Sequence, residues 1–313
     1  MARPEIDILL ATYNGARFLE AQMESLLSQE GVSFRILVRD DGSTDGTPAI
    51  LERYRRSRPD CVRLLSSSGN VGAVRNFAAL LEHSDAPYAA LCDQDDVWAP
   101  RKLRVLSGML RDMETRHGSG TPMLVCCDLR VVDADLRERH RSYWRYAGID
   151  PGRTNLARVL IRNPAAGCAS LANRALIRLS LPVPREALVH DHWLALVAAA
   201  AGRIGTLREP LVDYRQHGGN IIGARPYHWR AVIRRLTSAR PSWDIGALQR
   251  QAAALLERCR AVLSPGALTL VEDFVSLPDR NWIARRWLLL RHGILMPGLL
   301  RNLALLFCVR LRR

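Results

Sequence analysis

The first hundred residues alternate between two hydrophobic patterns. Runs in which nearly every position is apolar fall at 6–11, 34–38, 62–65 and 88–92, and between them the stretches 16–28, 47–56 and 73–82 place apolar residues three or four apart. The first pattern predicts strands buried on both faces and the second predicts amphipathic helices. Strand and helix taking turns predict an α/β fold with a mostly parallel sheet flanked by helices. Farther on, 123–133 predicts another strand and 163–168 a loop entering a small-residue segment. His190-Asp191-His192-Trp193 opens an apolar helix closed by Gly202, and 203–207 and 211–214 predict two more strands. From Tyr227 the pattern is helical and basic. This sets a boundary near residue 225, with a domain over 1–225 in halves of about 1–98 and 99–225, and a helical basic C-terminal region over 226–313.

Ligands of open parallel sheets sit outside the carboxyl ends of the strands. Those ends are the polar places here: Thr12-Tyr13-Asn14-Gly15, Asp40-Asp41-Gly42-Ser43-Thr44-Asp45, Gly69-Asn70 and Asp93-Gln94-Asp95-Asp96-Val97-Trp98. Three carboxylates in four residues at the end of a buried strand are costly unless something neutralises them. A hard divalent cation does so. Oxygen ligation of this kind suits Mg²⁺ or Mn²⁺, which share their coordination between carboxylates and substrate phosphates.

The other segments each carry a plainer alternative. Asp40 to Asp45 reads as a turn with a helix cap, but that leaves two adjacent acids at a strand end without a reason, and Asp41 is placed to accept from a base or ribose. Tyr13, between Thr12 and Asn14, either begins a helix or offers a ring for a base to stack on. Arg75 is a solvated helix residue or a cation aimed at a diphosphate. Gly69-Asn70-Val71-Gly72 lacks the spacing of a dinucleotide fingerprint. His190 and His192 are two apart and do not share a helix face, which argues against joint chelation; Asp191 between them is an acid at a helix start, as a cap or as a base kept ionised by the dipole. Tyr214-Arg215-Gln216-His217-Gly218-Gly219-Asn220 follows a strand with groups suited to phosphate or metal, and its glycines let a ligand approach the backbone.

Composition narrows the class. The chain has 313 residues, 48% of them hydrophobic, enough for a substantial core, and a net charge of +14 carried almost wholly by arginine, Lys102 being its only lysine. That arginine bias reads as genome composition, while the positive charge favours anionic partners. Seven cysteines without C-x-x-C spacing fit neither a disulfide framework nor a zinc site and point to a reducing cytosol. The start of the chain lacks the plan of a signal peptide, and no apolar run is long enough to span a bilayer. From Arg280 to the end the chain holds eight arginines and no acid among Trp, Leu and Phe. That segment is either a membrane-interfacial helix or one packed on its own domain.

Taken in order, ATYNGARFL, LVRDDGSTDGT, GNVGAVRNF, LCDQDDVWAPRKL, HDHW and YRQHGGN, spread over about residues 5–222, resemble the family 2 glycosyltransferases, and most closely their rhamnosyltransferase-like members. The resemblance implies the GT-A nucleotide-diphospho-sugar transferase fold and an inverting, metal-dependent transfer of one sugar from a nucleotide diphosphate sugar. It implies that Asp41, with Thr12, Tyr13, Asn14, Arg75, Asp93 and Gln94, binds the nucleotide sugar. Asp93 and Asp95 match the family's D-x-D motif and, with His217, hold the metal. Asp191 matches the general base, and Asp96, Trp98, His190, Trp193 and Arg215 fall where acceptor or diphosphate contacts lie. The family often has Glu where this chain has His190, which leaves the base in place and puts the acceptor contacts in question.

The resemblance further implies deoxythymidine diphosphate rhamnose as leading donor, with UDP and GDP sugars as alternatives. The acceptor is a saccharide, free or lipid-linked, in cell-surface polysaccharide synthesis, and the enzyme a cytoplasmic one lying peripherally on the anionic inner face of the membrane. A processive synthase is disfavoured because Ile283-Ala284-Arg285-Arg286-Trp287 lacks the Gln of the Gln-x-x-Arg-Trp motif. A sugar nucleotidyltransferase would begin with a glycine-rich basic loop, which residues 11–15 do not form. A nucleic-acid-binding protein would line its site with basic and aromatic residues, whereas the strand-end loops here are acidic, so no nucleic-acid partner is expected.

Overall fold

The computed structural model describes residues 4–67, 69–218, 245–296, 302, 305 and 306. The expected boundary near 225, Gly219 and Asn220, the first part of the basic region and most of the tail beyond 296 lie outside the described residues.

Strand β1 (Ile6–Thr12) is apolar throughout because both faces of the sheet are covered: Ile6, Ile8 and Leu10 belong to one hydrophobic cluster and Leu9 to the other. Its one acid, Asp7, is fully buried and fully used. It accepts from Arg35 at 2.8 Å, from the Ser84 hydroxyl at 2.9 Å and from the backbone N–H groups of Asp85 and Ala86 at 2.9 and 3.0 Å. That ring of donors is what a buried carboxylate needs.

Helix α1 (Ala16–Leu27), β2 (Phe34–Asp40), α2 (Thr47–Ser57), β3 (Val62–Leu64), α3 (Ala73–His83) and β4 (Tyr88–Cys92) follow, each within two residues of its place in the hydrophobic pattern. Strands β1 to β4 pair in parallel in the order β3-β2-β1-β4. Their carboxyl ends therefore open on one rim.

Beyond β4 the sheet becomes mixed. The chain continues through β5 (Val97–Trp98), α4 (Lys102–His117), β6 (Met123–Asp133), β7 (Glu138–His140), α5 (Tyr143–Ala147), α6 (Leu156–Val159), β8 (Ser170–Asn173), α7 (Arg174–Ser180), α8 (His190–Ala201) and β9 (Arg203–Gln216). Strand β8 lies antiparallel between β4 and β6, and β9 runs parallel to β6, completing the order β3-β2-β1-β4-β8-β6-β9-β5. The two strands expected at 203–207 and 211–214 are one. Arg208 and Glu209 bulge out of the ladder between the pairs Cys127↔Leu207 and Asp128↔Pro210, so Pro210, which has no N–H to donate, sits at an irregularity instead of ending the strand.

The two clusters lie on opposite faces of the sheet. One is built with α1, α2 and α4 (Leu19, Met23, Leu51, Leu103, Leu106), the other with α3 and α8 (Phe77, Leu80, Trp193, Leu196). Helices Gly246–Cys259, Pro265–Val275 and Trp282–Arg291 add Leu255, Phe274 and Leu288 to the second cluster. Helix α8 is apolar nearly all round, as expected of a helix enclosed by sheet and helices.

Gly202 lets α8 turn directly into β9 against the residue before β6. A Cβ there would lie 1.8 Å from the Pro122 carbonyl oxygen, which accepts the Arg203 N–H at 2.9 Å. Gly202→Ala should therefore destabilise the fold by about 1–3 kcal/mol, read as a lower midpoint in urea unfolding; an unchanged midpoint would show that this approach of two backbones can relax freely.

Candidate active site

Strand β4 is buried along its whole length and ends in the acidic turn, so the chain delivers its carboxylates straight from the core to the rim. Asp96 is completely buried. Its Oδ1 accepts the backbone N–H of Arg215 at 3.0 Å, while Oδ2 has no conventional hydrogen-bond partner. Asp95 faces the end of β9: its Oδ2 lies 2.8 Å from His217 Nε2, and its carbonyl accepts from Arg215 Nε at 2.7 Å. Phe18 of α1 supports both side chains, with its ring 4.5 Å from the His217 ring and 4.8 Å from the Arg215 guanidinium. Strand β9 thus returns two basic side chains to the acids that β4 presents.

The first two strand ends are laced together by side chains. Thr12 Oγ1 and Ser43 Oγ donate to Asp40 Oδ1 at 2.7 and 2.6 Å. Asn14, at a positive φ of 48°, takes the Thr44 N–H on its Oδ1 at 2.8 Å. Gln94 pairs with both backbone groups of Tyr13, at 2.8 and 2.9 Å, and leaves the Tyr13 ring 47% exposed at the mouth. A Cβ at position 15 would fall 2.1 Å from Gln94 Oε1, so a side chain there would push the Gln94 amide off Tyr13. Asp41 is buried and accepts from the N–H groups of Val71 and Gly72 at 2.9 and 2.8 Å. Its carboxylate closes the 69–72 loop over the strand end, and Arg75 is exposed on the first turn of α3 just beyond it.

The second half of the site comes from α8 and the turn before β8. Asp191 Oδ2 accepts the Gly167 N–H at 2.8 Å, and Oδ1 accepts the His192 N–H at 2.6 Å. Burial pushes Asp191 up to about 6, against the pull of those N–H groups. Asp93 is pushed up to about 7, first by burial and then by the charges of Asp95 and Asp191. Asp96 is raised well above the ordinary carboxylate range, by burial and by Asp95 and Asp93. These shifts come from burial first, and the contribution of Asp191 to that of Asp93 places it within electrostatic reach of the acidic turn although about a hundred residues separate them.

The donor set fits a hard divalent cation: carboxylate oxygens of Asp93 and Asp95, the imidazole of His217, and a buried Asp96 oxygen without a conventional partner. A tighter grouping also exists. Asp93, Asp96 and Cys168 each place a ligand atom within 4.8 Å of the others. The thiol is a soft donor and suits Mg²⁺ or Mn²⁺ less well.

Several expected residues stand elsewhere. Trp193 is fully buried, with its Nε1 donating to the Ser180 carbonyl at 2.9 Å, and Trp98 is 2% exposed under the cluster, so neither ring reaches an acceptor. Both pack the core, because each sits where its element faces inward. His190 is buried with its ring stacked 3.7 Å from that of Phe77 and neither ring nitrogen bonded, and burial depresses its pKa to about 3. His192 turns away to the Val159 carbonyl at 2.7 Å. Residues that sequence reading passed over are Phe18, Gly167, Cys168 and Lys102. Only Lys102 carried a signal, as the single lysine in the chain.

A profile of glycosyl transferase family 2 matches residues 7–179, more than half of the chain and all four parallel strands with their polar ends. The chain belongs to glycosyl transferase family 2. Among relatives of this glycosyltransferase is the dTDP-rhamnosyl transferase RfbG of Shigella flexneri, 27% identical over 241 residues, which span 75% of this chain and 80% of that one. The UDP-Glc:alpha-D-GlcNAc-diphosphoundecaprenol beta-1,3-glucosyltransferase WfaP of Escherichia coli is 36% identical over 110 residues, 35% of this chain and 41% of its own. In fold, the chain is similar to S. aureus TarS 1-349 in complex with UDP-GlcNAc, at a TM-score of 0.54 and 15% identity over 92% of this chain and 80% of that one. It is likewise similar to the mannosyltransferase PcManGT from Pyrobaculum calidifontis in complex with GDP-Man and Mn2+, at 0.51 and 19% over 94% and 87%. The fold is GT-A.

The family resemblance makes Asp191 the base, which acts only when ionised, so with Mn²⁺ saturating, which opposes the upward shift of Asp93, sugar transfer should rise with pH through about 6, the value of Asp191. A pH–rate profile without that acid limb contradicts the assignment of Asp191.

Proposed function

We propose that this glycosyltransferase moves one sugar from a nucleotide diphosphate sugar to an acceptor hydroxyl with inversion, Asp191 serving as the base. The observation that carries the reading is a recessed Asp191, each oxygen fixed by one N–H, close enough to the acidic turn that its charge helps to raise Asp93. A fixed carboxylate keeps lone pairs for the incoming proton. As the acceptor oxygen bonds to the anomeric carbon, the bond to the diphosphate breaks on the opposite face and the hydroxyl proton passes to Asp191. One displacement inverts the centre. Mg²⁺ or Mn²⁺, held by Asp93, Asp95 and His217, would supply Lewis-acid stabilisation of the leaving diphosphate. Arg215 brings its guanidinium to the same rim. Tyr13 offers the exposed ring for the base, Thr12, Asn14 and Gln94 hold that ring's backbone in place, Asp41 shapes the adjacent loop, and Arg75 stands at its far end.

The name of the Shigella relative supports deoxythymidine diphosphate rhamnose as donor, and that of the E. coli relative supports a lipid-linked acceptor in cell-surface polysaccharide synthesis. Donor hydrolysis should be fastest with dTDP-rhamnose in a panel that includes UDP and GDP sugars with Mn²⁺; preference for a UDP or GDP sugar would reassign the donor. In the same assay Asp191→Asn should keep donor affinity and lose transfer by roughly 10²–10⁴-fold. Normal turnover by that variant would remove Asp191 from the role.

A lipid-linked acceptor brings the enzyme to the inner face of the membrane. Among the described residues no helix is long and apolar enough to cross it. Helix Trp282–Arg291 instead buries Leu288 and Leu289 and presents Trp282, Ile283, Trp287 and Leu290 to solvent, all 55–71% exposed. Arg286 lies 3.7 Å over the Trp282 ring and Arg291 4.8 Å over that of Trp287. Aromatic rings paired with cations suit an anionic headgroup layer. The triple variant Trp282→Ser, Ile283→Ser, Trp287→Ser should lose most of its co-sedimentation with phosphatidylglycerol vesicles while keeping soluble-donor hydrolysis; unchanged sedimentation would leave this face without a membrane role.

A further inference from the structure

Lys102 is one lysine among 45 Lys and Arg residues, and it is completely buried. Elsewhere the chain uses the arginine fork; here it uses a compact ammonium on a flexible stem, which fits where a planar guanidinium does not. The ammonium is held at two points. Nζ donates to the Cys168 carbonyl at 2.6 Å and lies 2.9 Å from the centre of the Trp98 ring. Burial depresses its pKa to about 8, and Cys127, Cys92, Cys168 and Asp96 work in the opposite direction. Removing a buried cation from its partners leaves the Cys168 carbonyl without its donor.

What surrounds it joins the two halves of the site. Cys168 lies in the turn Gly167–Ala169, and the Gly167 N–H is the donor that fixes Asp191 Oδ2 at 2.8 Å. The Cys168 thiol belongs to the grouping with Asp93 and Asp96. Lys102 begins α4, six residues after Asp96, and Trp98, which stacks on it, ends β5 beside β9. One side chain thus spans from the segment following the acidic turn to the turn that orients the base.

We propose that Lys102 is a positioning residue which, by anchoring the Cys168 carbonyl, holds the Gly167 N–H in line with Asp191 and so sets the base in register with the acidic turn. This rests on the reading of Asp191 as the base. The residue acts on geometry in the reacting complex, so its removal acts on kcat, with donor affinity spared because the strand ends that bind the nucleotide do not pass through it. A misplacement of about 1 Å is enough for a loss on the order of 100-fold.

The test is a double-mutant cycle of Lys102→Met and Asp191→Asn, read as kcat and KM for transfer, with nucleoside diphosphate affinity by calorimetry in the presence of Mn²⁺. The expected result is a fall in kcat of about 100-fold for Lys102→Met, affinity within a few-fold of wild type, and little further loss when the change is added to Asp191→Asn. An equal loss in both backgrounds, or a loss confined to KM, overturns the proposal. Full activity of Asp191→Asn alone instead overturns the reading of the base, which separates the two failures. Should Lys102→Met not fold, the solitary lysine gives a second readout. In otherwise wild-type protein labelled with ¹³C-lysine, the single ε-carbon signal should move on Asp191→Ala, because the Gly167 N–H loses its acceptor, and a signal that stays in place overturns the proposal.

Discussion

A carboxylate taken out of water is costly unless opposite charge or donated hydrogen bonds replace the solvent, and this protein concentrates that cost at the end of one strand. Asp93, Asp95 and Asp96 follow a fully buried β4, and Asp96 Oδ2 is buried without a conventional partner. Asp7, as buried in the neighbouring strand as Asp96, shows the contrast, since it collects an arginine, a hydroxyl and two backbone N–H groups. A structural acid is surrounded by donors of the protein, whereas Asp96 at the turn keeps one buried oxygen that the proposed cation would serve. His217 and the Arg215 N–H face these acids, and burial first, then the charge of neighbouring carboxylates, raises Asp93 and Asp96.

The sheet is arranged to meet that demand. Parallel strands β1 to β4 bring four polar ends to one rim, and the antiparallel β8 lets the chain turn back so that β9 can run beside β6 and end at the acidic turn. Two extra residues bulged at Arg208 and Glu209, and another before Asp213, shift the register along β9 ahead of Arg215 and His217. Helix α8 supplies Asp191 from the other side, aimed by a close glycine turn in which a Cβ on Gly167 would come 3.0 Å from His190 Nε2. The chemistry sits where elements distant in sequence meet, and each is fixed by packing in the core beneath it.

Local pattern made the first half of the fold legible. Periodicity located β1 to β4 and the helices between them, and the rule that ligands gather at strand ends drew Thr12, Asp41 and Asp93 into one neighbourhood. Family resemblance joined Asp191 and His217 to that group. What was not legible depends on partners far along the chain. Nothing near Trp193 says that its indole faces Ser180 and the core, and nothing near Asp41 says that its carboxylate is taken by the 69–72 loop. The break expected at Pro210 is absorbed by a bulge opposite β6, whose sequence lies some eighty residues earlier. Lys102 was visible as a lone lysine, but only its burial between Trp98 and Cys168 gives that solitude a physical meaning.

The central claim is that the under-compensated acids are completed by a divalent cation that also carries the donor's diphosphate. Anomalous scattering from crystals grown with Mn²⁺ and a nucleoside diphosphate tests it directly. The account predicts a manganese peak at about 2.1 Å from an Asp95 carboxylate oxygen, in contact with a diphosphate lying toward Asp191. A nucleotide bound at the strand ends with no metal at Asp95, or a metal and diphosphate on another face of the protein, would contradict it.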